Sequence, residues 1–147
     1  MMHAILVVCV GNICRSPVAE ALFKQHFPEK RIWSAGLSAL VGRPAHPTAQ
    51  EIASRNGLDL STHRAQQISG WMCTEADLIL VMESGHRTEL EQLFPLARGK
   101  IHRLGASRDG DMDIADPYKQ PRTAFEAAHA DIESGVTHWA ARIRKLS

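Results

Sequence analysis

The chain has 147 residues, of which 44% are hydrophobic and 22% charged, with a formal net charge of +1. These values predict one soluble domain over 1–147 and argue against a protein that coats nucleic acid or an anionic membrane. The early apolar run 4–10 is too short to cross a bilayer, and residues 1–3 lack the Lys or Arg of a signal peptide. We therefore expect a cytoplasmic protein without membrane insertion.

The cysteine count supports the same compartment. Cys9, Cys14 and Cys73 are too few for a disulfide framework and suit a cytosol in which thiols stay reduced. The eight histidines are scattered and no CxxC motif is present, which argues against a structural zinc site. We expect no metal and no other cofactor.

The first predicted elements are a strand and a helix joined by a short loop. The strand is the continuous apolar run Ala4–Cys9, which is typical of a strand buried on both faces. After a turn at Gly11 and Asn12, Ser16 at the cap and Pro17 at the first helical position predict a helix that continues to residue 26.

Strands and helices alternate through the rest of the chain. In order, the patterns predict a strand over 31–35 ended by Gly36, a helix over 47–56 stopped by Gly57, a strand over 76–82, a helix capped by Ser84 and ended by Pro95, and a strand over 100–104. The last helix carries one apolar stripe at steps of three and four, formed by Phe125, Ala128, Ile132, Val136, Trp139 and Ile143.

This alternation predicts an α/β fold in which helices cover both faces of a parallel sheet. In such sheets, ligands bind beyond the carboxyl ends of the strands. Cys9 is the carboxyl end of the first predicted strand, so the sequence directs attention to the segment that follows it.

The segment 9–16, called the phosphate loop below, links the buried strand to a helix N-terminus. A loop of this kind turns successive backbone N–H groups inward, here those of Val10, Gly11, Asn12, Ile13, Cys14 and Arg15, and adds the positive end of the helix dipole. Gly11 would supply the backbone conformation that a tight cradle needs. The Arg15 guanidinium can hold two phosphate oxygens at once. We expect this loop to bind a tetrahedral dianion.

The positive end of the helix dipole and the Arg15 guanidinium should also stabilise the thiolate form of Cys9 and make it nucleophilic. The alternative interpretation is structural, because a cysteine that ends a buried strand usually behaves as a small apolar residue. The sequence of strand, loop and helix start favours the functional interpretation.

Cleavage of a phosphate ester also requires a proton for the leaving oxygen. Asp116 follows the loop 105–115 and should lie on the same side of the sheet as Cys9, where it can act as general acid and then as general base. Asp109, Asp111 and Asp113 compete for that role by sequence alone, and we interpret those three as solvated acidic loop residues.

Two motifs together resemble the signatures of the low-molecular-weight protein tyrosine phosphatases: the segment 9–17, which reads CVGNICRSP, and 116–118, which reads DPY. The similarity extends over nearly the whole chain. It implies a four-stranded parallel sheet of flavodoxin-like type and metal-free hydrolysis of phosphotyrosine. It also implies Cys9 as nucleophile, Arg15 as phosphate clamp and Asp116 as general acid and base.

The resemblance implies further roles around the loop. Asn12, Ser16, Ser34 and His63 match a buried polar network that holds the loop and steadies the thiolate. From the residues alone, His63 would be a satisfied core histidine. By the same resemblance, Cys14 can form a disulfide with Cys9 under oxidation and protect it. Cys73 matches no functional position, and we interpret it as structural.

The cleft wall departs from the animal members of the family, which carry an aromatic residue where this chain has Leu40 and a second Tyr where it has Lys119. Specificity would then depend on Leu40 and Tyr118. The segment 34–48 instead resembles bacterial members that pair with tyrosine autokinases of capsule or exopolysaccharide assembly. That implies a tyrosine-rich kinase tail as the substrate.

Two other functions remain open at this point. A thiol-dependent arsenate reductase shares this fold and loop, but it needs two further cysteines for a disulfide relay, and only Cys73 lies outside the loop. A non-catalytic phosphotyrosine-binding module would keep Arg15 but would not need Cys9 and Asp116 together.

Overall fold

The computed structural model of the chain describes residues 2–107 and 110–146, and it contains the predicted four-stranded parallel sheet. The strands are β1 (Ala4–Cys9), β2 (Arg31–Gly36), β3 (Leu78–Val81) and β4 (Ile101–Arg103), in the order β2-β1-β3-β4. A two-stranded hairpin, β5 (Ala106–Ser107) and β6 (Gly110–Asp111), follows β4. The prediction of an α/β fold is confirmed.

Five helices accompany the sheet in the described part of the chain: α1 (Arg15–His26), α2 (Pro47–Arg55), α3 (Gly70–Glu75), α4 (Ser84–Leu93) and α5 (Arg122–Leu146). A short 3-10 turn, Pro95–Ala97, follows α4. No helix among the described residues is both long enough and apolar enough to span a bilayer.

Burial of β1 on both faces explains its continuous apolar sequence. Ile5 and Val7 pack into the cluster that includes α1 and α5, whereas Leu6 and Val8 pack into the cluster that includes α3 and α4. Side chains alternate between the two faces of a strand, so both alternating sets must be apolar. The predicted stripe of α5 is also buried, at Phe125, Ala128, Ile132, Val136, Trp139 and Ile143.

Two helix starts differ from the sequence prediction. Helix α1 begins at Arg15, and the Ser16 hydroxyl makes no capping bond because it contacts Cys9 and Asn12 instead. Helix α4 begins at Ser84, whose backbone N–H donates to the carboxylate of Asp113 at 2.9 Å. In α4 the carboxylate of Asp113, distant in sequence, bonds the helix start, whereas in α1 the Ser16 hydroxyl bonds groups of the loop, so neither serine is the predicted local cap.

Gly36 sets the close approach of β2 to the phosphate loop. It is the last residue of β2 and pairs with Cys9. A Cβ atom at this position would lie 2.5 Å from the carbonyl oxygen of Val10 and 3.0 Å from Ala39, closer than real contacts allow. The absence of a side chain therefore lets the sheet edge support the loop backbone directly.

Candidate active site

The phosphate loop is fixed from outside through its carbonyl groups. Five consecutive carbonyls, those of Cys9, Val10, Gly11, Asn12 and Ile13, accept hydrogen bonds of 2.6–3.0 Å. The donors are the backbone N–H groups of Leu37, Ser38, Leu40 and His46 and the Nε2 of the His63 ring. Each of these five carbonyls is thus held by a residue outside the loop.

This anchoring determines where the loop N–H groups point. In a trans peptide the carbonyl and the following N–H project in opposite directions, and the described residues contain no cis peptide. The N–H groups of residues 10–14 therefore point away from the anchors. Val10, Gly11, Ile13, Cys14 and Arg15 line a cavity of about 140 Å³. Such a ring of amides suits an anion.

The left-handed backbone conformation in the loop belongs to Asn12, with φ of 59°, and not to Gly11. A Cβ at Gly11 would meet Leu40 and Ile13 only at ordinary distances of 3.7 Å or more. The expectation that Gly11 supplies the special conformation is therefore wrong. Asn adopts left-handed backbone more readily than most residues, and the Asn12 side chain is fixed by hydrogen bonds on both sides.

Arg15 is a buried cation, 1% exposed, with one edge of its guanidinium already engaged. Its Nη1 donates to the Glu83 carboxylate and to the carbonyl of Ile114, both at 2.6 Å. Its Nε has no hydrogen-bond partner among the residues that the structure describes. Nε and Nη2 form the other edge of the fork, the arrangement that binds two oxygens of one phosphate.

The Cys9 thiol sits at the end of a directed chain of hydrogen bonds. Asn12 Nδ2 donates to Ser16 Oγ at 2.7 Å and to Ser34 Oγ at 3.0 Å. Ser16 Oγ lies 3.0 Å from Cys9 Sγ. Because Ser16 accepts from Asn12, its own hydroxyl proton is available to donate to the sulfur. This arrangement favours a negatively charged sulfur.

The predicted support residues Asn12, Ser16, Ser34 and His63 therefore contact one another in one network, as the sequence comparison implied. The network extends to Glu20, whose carboxylate accepts a hydrogen bond from Ser34 Oγ. The backbone N–H of Gln66 donates to Asn12 Oδ1 at 2.9 Å, and its side chain donates to the carbonyl of Ser34.

Asp116 lies across the cavity from the loop, where it lines the wall together with Leu40 and Tyr118. Its carboxylate is 3.7 Å from Arg15 Nη2 and 42% exposed, and it accepts a hydrogen bond from the N–H of Tyr118 at 3.0 Å. The structure thus brings Cys9, Arg15 and Asp116, the three predicted catalytic residues, to one cavity.

Of the three alternative acids, only the side chain of Asp113 is described by the structure. Asp113 is an exposed loop residue, as interpreted, with a side chain that is 46% exposed, but Arg103 and the N–H of Ser84 also bond its carboxylate at 2.9 Å. The hydrogen bond from Arg103, followed by that from Ser84, lowers the pKa of Asp113 from its ordinary value. Asp109 and the side chain of Asp111 lie outside the described residues.

The remaining cysteines differ in location. Cys14 lines the cavity with Cys9, and burial, with smaller contributions from Cys9 and Asp116, raises the pKa of Cys14 to about 12. Cys14 is therefore a protonated thiol at neutral pH. Cys73 is buried in α3, ahead of the amino end of β3, in the cluster on the other face of the sheet. It lies at the opposite end of the sheet from Cys9.

Glu83 and Glu20 are site residues that the sequence analysis did not identify. Glu83 binds the Arg15 guanidinium and also lies 3.4 Å from His86 Nε2. It follows β3, whose carboxyl end is adjacent to that of β1. An acidic residue directly after a neighbouring strand was the available signal, since the carboxyl ends of parallel strands meet at one edge. Glu20 carried no comparable signal within the helical pattern of α1.

Comparison with known proteins identifies the family. The profile of the low molecular weight phosphotyrosine protein phosphatases matches residues 4–147. The chain is 48% identical to "Probable low molecular weight protein-tyrosine-phosphatase EpsP" of Ralstonia nicotianae over 99% of both chains. It is 47% identical to "Low molecular weight protein-tyrosine-phosphatase Wzb" of Salmonella typhimurium, over 95% of this chain and 93% of the relative.

A solved structure agrees with these relatives. Vibrio vulnificus Wzb in complex with benzylphosphonate superposes with a TM-score of 0.92 at 43% identity, covering 97% of this chain and 99% of that chain. The family match over residues 4–147 includes the phosphate loop, Arg15 and Asp116. The structural match also extends over nearly the whole chain. The chain belongs to the low molecular weight phosphotyrosine protein phosphatase family and is a protein tyrosine phosphatase.

Proposed function

We propose that the phosphatase hydrolyses phosphotyrosine through a phosphocysteine intermediate on Cys9, with Arg15 as phosphate clamp and Asp116 as general acid and then base. The observation that carries this proposal is that Cys9, Arg15 and Asp116 line one cavity at the carboxyl end of β1. The complex of Vibrio vulnificus Wzb supports it, because benzylphosphonate joins a tetrahedral phosphorus to a benzyl group.

In the first step, the Cys9 thiolate attacks phosphorus in line with the tyrosyl oxygen. A sulfur–phosphorus bond forms and the phosphorus–oxygen bond breaks, while Asp116 donates its proton to the departing tyrosyl oxygen. The amides of residues 10–14 and the free edge of Arg15 hold the three equatorial oxygens, on which the charge of the transition state accumulates.

In the second step, water attacks the phosphocysteine. Asp116, now ionised, takes a proton from the water, the sulfur–phosphorus bond breaks, and inorganic phosphate leaves. The sulfur departs as a thiolate, which the Ser16 hydroxyl stabilises by donating its proton toward it. The proton that Asp116 takes from the attacking water restores its acid form, so the cycle ends with Cys9 and Asp116 in their starting protonation states.

The location of Cys73 favours ester hydrolysis over a disulfide relay. An arsenate reductase of this fold passes a disulfide from the loop to cysteines outside it. Cys73 is buried at the opposite end of the sheet from Cys9, and burial raises its pKa, which opposes thiolate formation. A binding module, in turn, would not require a carboxylate across the cavity from a cysteine.

The acid role of Asp116 is tested by varying the leaving group. We expect Asp116→Ala to lower kcat/KM by about 10²- to 10⁴-fold with phenyl phosphate, whose leaving group needs a proton, and by much less with p-nitrophenyl phosphate. Asp113→Ala is the matched control, because its carboxylate binds Arg103 and Ser84, and it should show no dependence on the leaving group. Equal losses with both esters in Asp116→Ala would reject the acid role.

We further propose that the physiological substrate is the phosphorylated, tyrosine-rich tail of a bacterial tyrosine autokinase in exopolysaccharide or capsule assembly, acted on in the cytoplasm. Support comes from relatives named EpsP and Wzb and from the bacterial character of the segment 34–48. All three cysteines are free, which suits a reducing compartment.

Purified phosphorylated autokinase from the same organism provides the test of this substrate. The enzyme should dephosphorylate its tail with a kcat/KM at least about tenfold above that for free phosphotyrosine, because flanking residues add contacts. The control is a phosphotyrosine peptide that has the composition of the autokinase tail in a scrambled order. Equal rates on the native tail, the scrambled peptide and free phosphotyrosine would remove the autokinase from the proposal without affecting the chemistry.

A further inference from the structure

His46, the residue before α2, lies beside the cavity but takes no part in the chemistry described above. Its backbone N–H donates to the carbonyl of Ile13 at 2.8 Å, which makes it one of the anchors of the phosphate loop. Its ring Nδ1 accepts a hydrogen bond from the N–H of Thr48 at 3.1 Å and so caps α2. His46 is therefore fixed through both its backbone and its ring.

The His46 ring also connects α5 to the cavity wall. Its centroid lies 4.7 Å from that of Phe125 and 6.1 Å from that of Tyr118, with an angle of 86° between the His46 and Tyr118 rings. Edge-to-face contacts at this separation are favourable for aromatic rings. Tyr118 lines the cavity, whereas His46 is not among its lining residues. The His46 backbone acts on the phosphate loop, whereas the His46 ring reaches the cavity wall through Tyr118.

The His46 ring is neutral at physiological pH. Because Nδ1 accepts from Thr48, the ring proton resides on Nε2, and burial lowers the pKa of His46. The Lys119 ammonium also lies near the Tyr118 ring, 5.7 Å from its centroid. Tyr118 is 40% exposed, and its backbone N–H donates to the Asp116 carboxylate at 3.0 Å.

We propose that His46 is a positioning residue for aryl substrates: its ring holds Tyr118 as the wall against which the aromatic ring of the substrate packs. This inference rests on the proposed function, because it concerns the leaving-group ring of the same substrate. In this proposal the aromatic ring of the substrate packs against Tyr118, and its phosphate group binds to the phosphate loop; both line the same cavity. Loss of the wall should therefore weaken binding of the ring without altering the chemical step.

Two substitutions separate the ring of His46 from its capping bond. Asn is a favourable cap residue whose side-chain oxygen can accept from Thr48, but it has no ring. We expect His46→Asn to raise KM for phosphotyrosine by about three- to tenfold, with kcat within about twofold of the wild-type value. His46→Phe keeps a ring but loses the cap, so its KM should stay near wild type while its Tm falls.

Inorganic phosphate and a double variant complete the test. Phosphate has no ring, so its inhibition constant should be the same in wild type and His46→Asn. In a cycle with Tyr118→Ala, the two substitutions should be non-additive in KM, because both act through the same wall. An unchanged KM in His46→Asn, an equal rise in the phosphate constant, or additive effects would each overturn the proposal. Failure of the proposed function would appear differently, as wild-type enzyme that does not turn over phosphotyrosine.

Discussion

Substitution of Cys9 by serine is expected to abolish turnover, with a loss of kcat on the order of 10⁵- to 10⁶-fold for p-nitrophenyl phosphate. A serine hydroxyl remains protonated at neutral pH, and the network residue that contacts position 9, Ser16, is not a base that could remove the proton. The Ser16 hydroxyl lies 3.0 Å from the Cys9 sulfur and accepts a bond from Asn12, so its own proton is available to the sulfur. The site is thus arranged to stabilise an anion already formed and not to generate one.

Cys73→Ser is the matched control for this prediction. It makes the same change of atom at a buried position on the other face of the sheet. Its folded fraction should retain wild-type kcat, with any effect confined to Tm. Calorimetric measurement of phosphate binding distinguishes a loss of chemistry from a loss of fold, because folded Cys9→Ser should still bind inorganic phosphate. Measurable turnover by purified Cys9→Ser would contradict the covalent mechanism.

Arg15→Lys is expected to lower kcat/KM by about 10³- to 10⁵-fold although the charge is kept. Arg15 uses Nη1 for Glu83 and Ile114 and keeps Nε and Nη2 for the phosphate. A lysine ammonium is a compact charge on a flexible stem, and it cannot satisfy both edges at once. The loss should appear in kcat as well as in KM, because the bidentate contact is strongest in the transition state.

An exposed arginine gives the control for the change from guanidinium to ammonium. Arg55, in the last turn of α2, is 70% exposed and pairs with Glu51 on its own helix, so Arg55→Lys should leave kcat/KM unchanged. Thermal unfolding of Arg15→Lys must be measured as well, because Arg15 is buried and its substitution disturbs its pairing with the half-buried Glu83. A folded Arg15→Lys variant within tenfold of wild-type kcat/KM would show that a point charge suffices.

The phosphate loop and the sheet were predictable because their signals are local. The run Ala4–Cys9 identifies a strand buried on both faces, and the loop follows it directly, ending in Arg15 at the start of a helix. The confirmed four-stranded parallel sheet needed only the alternation of strands and helices together with the resemblance. For these features, the residues that favour the local strand, loop and helix are also the residues that the folded structure needs at those positions.

The supports of the site were not predictable because they are distant in the chain. Arg15 is held by Glu83, 68 residues later, and by Ile114, 99 residues later. Asp113 is exposed, as interpreted, but its bonds to Arg103 and Ser84 were not predicted because nothing local indicated those partners. The six-residue helix α3 was missed for a different reason, since Gly70–Glu75 is too short to show helical periodicity. The left-handed residue of the loop was also predicted wrongly. It is Asn12, whose side chain is held by hydrogen bonds, and not the conformationally free Gly11.

Trapping the phosphorylated enzyme is the most direct test that Cys9 carries the phosphoryl group. Asp116→Ala should be mixed with p-nitrophenyl phosphate, quenched within milliseconds in denaturant, digested and analysed by tandem mass spectrometry. The variant lacks the base that helps water attack, and this substrate needs little acid assistance, so a phosphoryl group should accumulate on the peptide that contains Cys9 and map to its sulfur. A burst of p-nitrophenol without any phosphorylated peptide, or a phosphoryl group on Cys14 or a histidine, would contradict the mechanism.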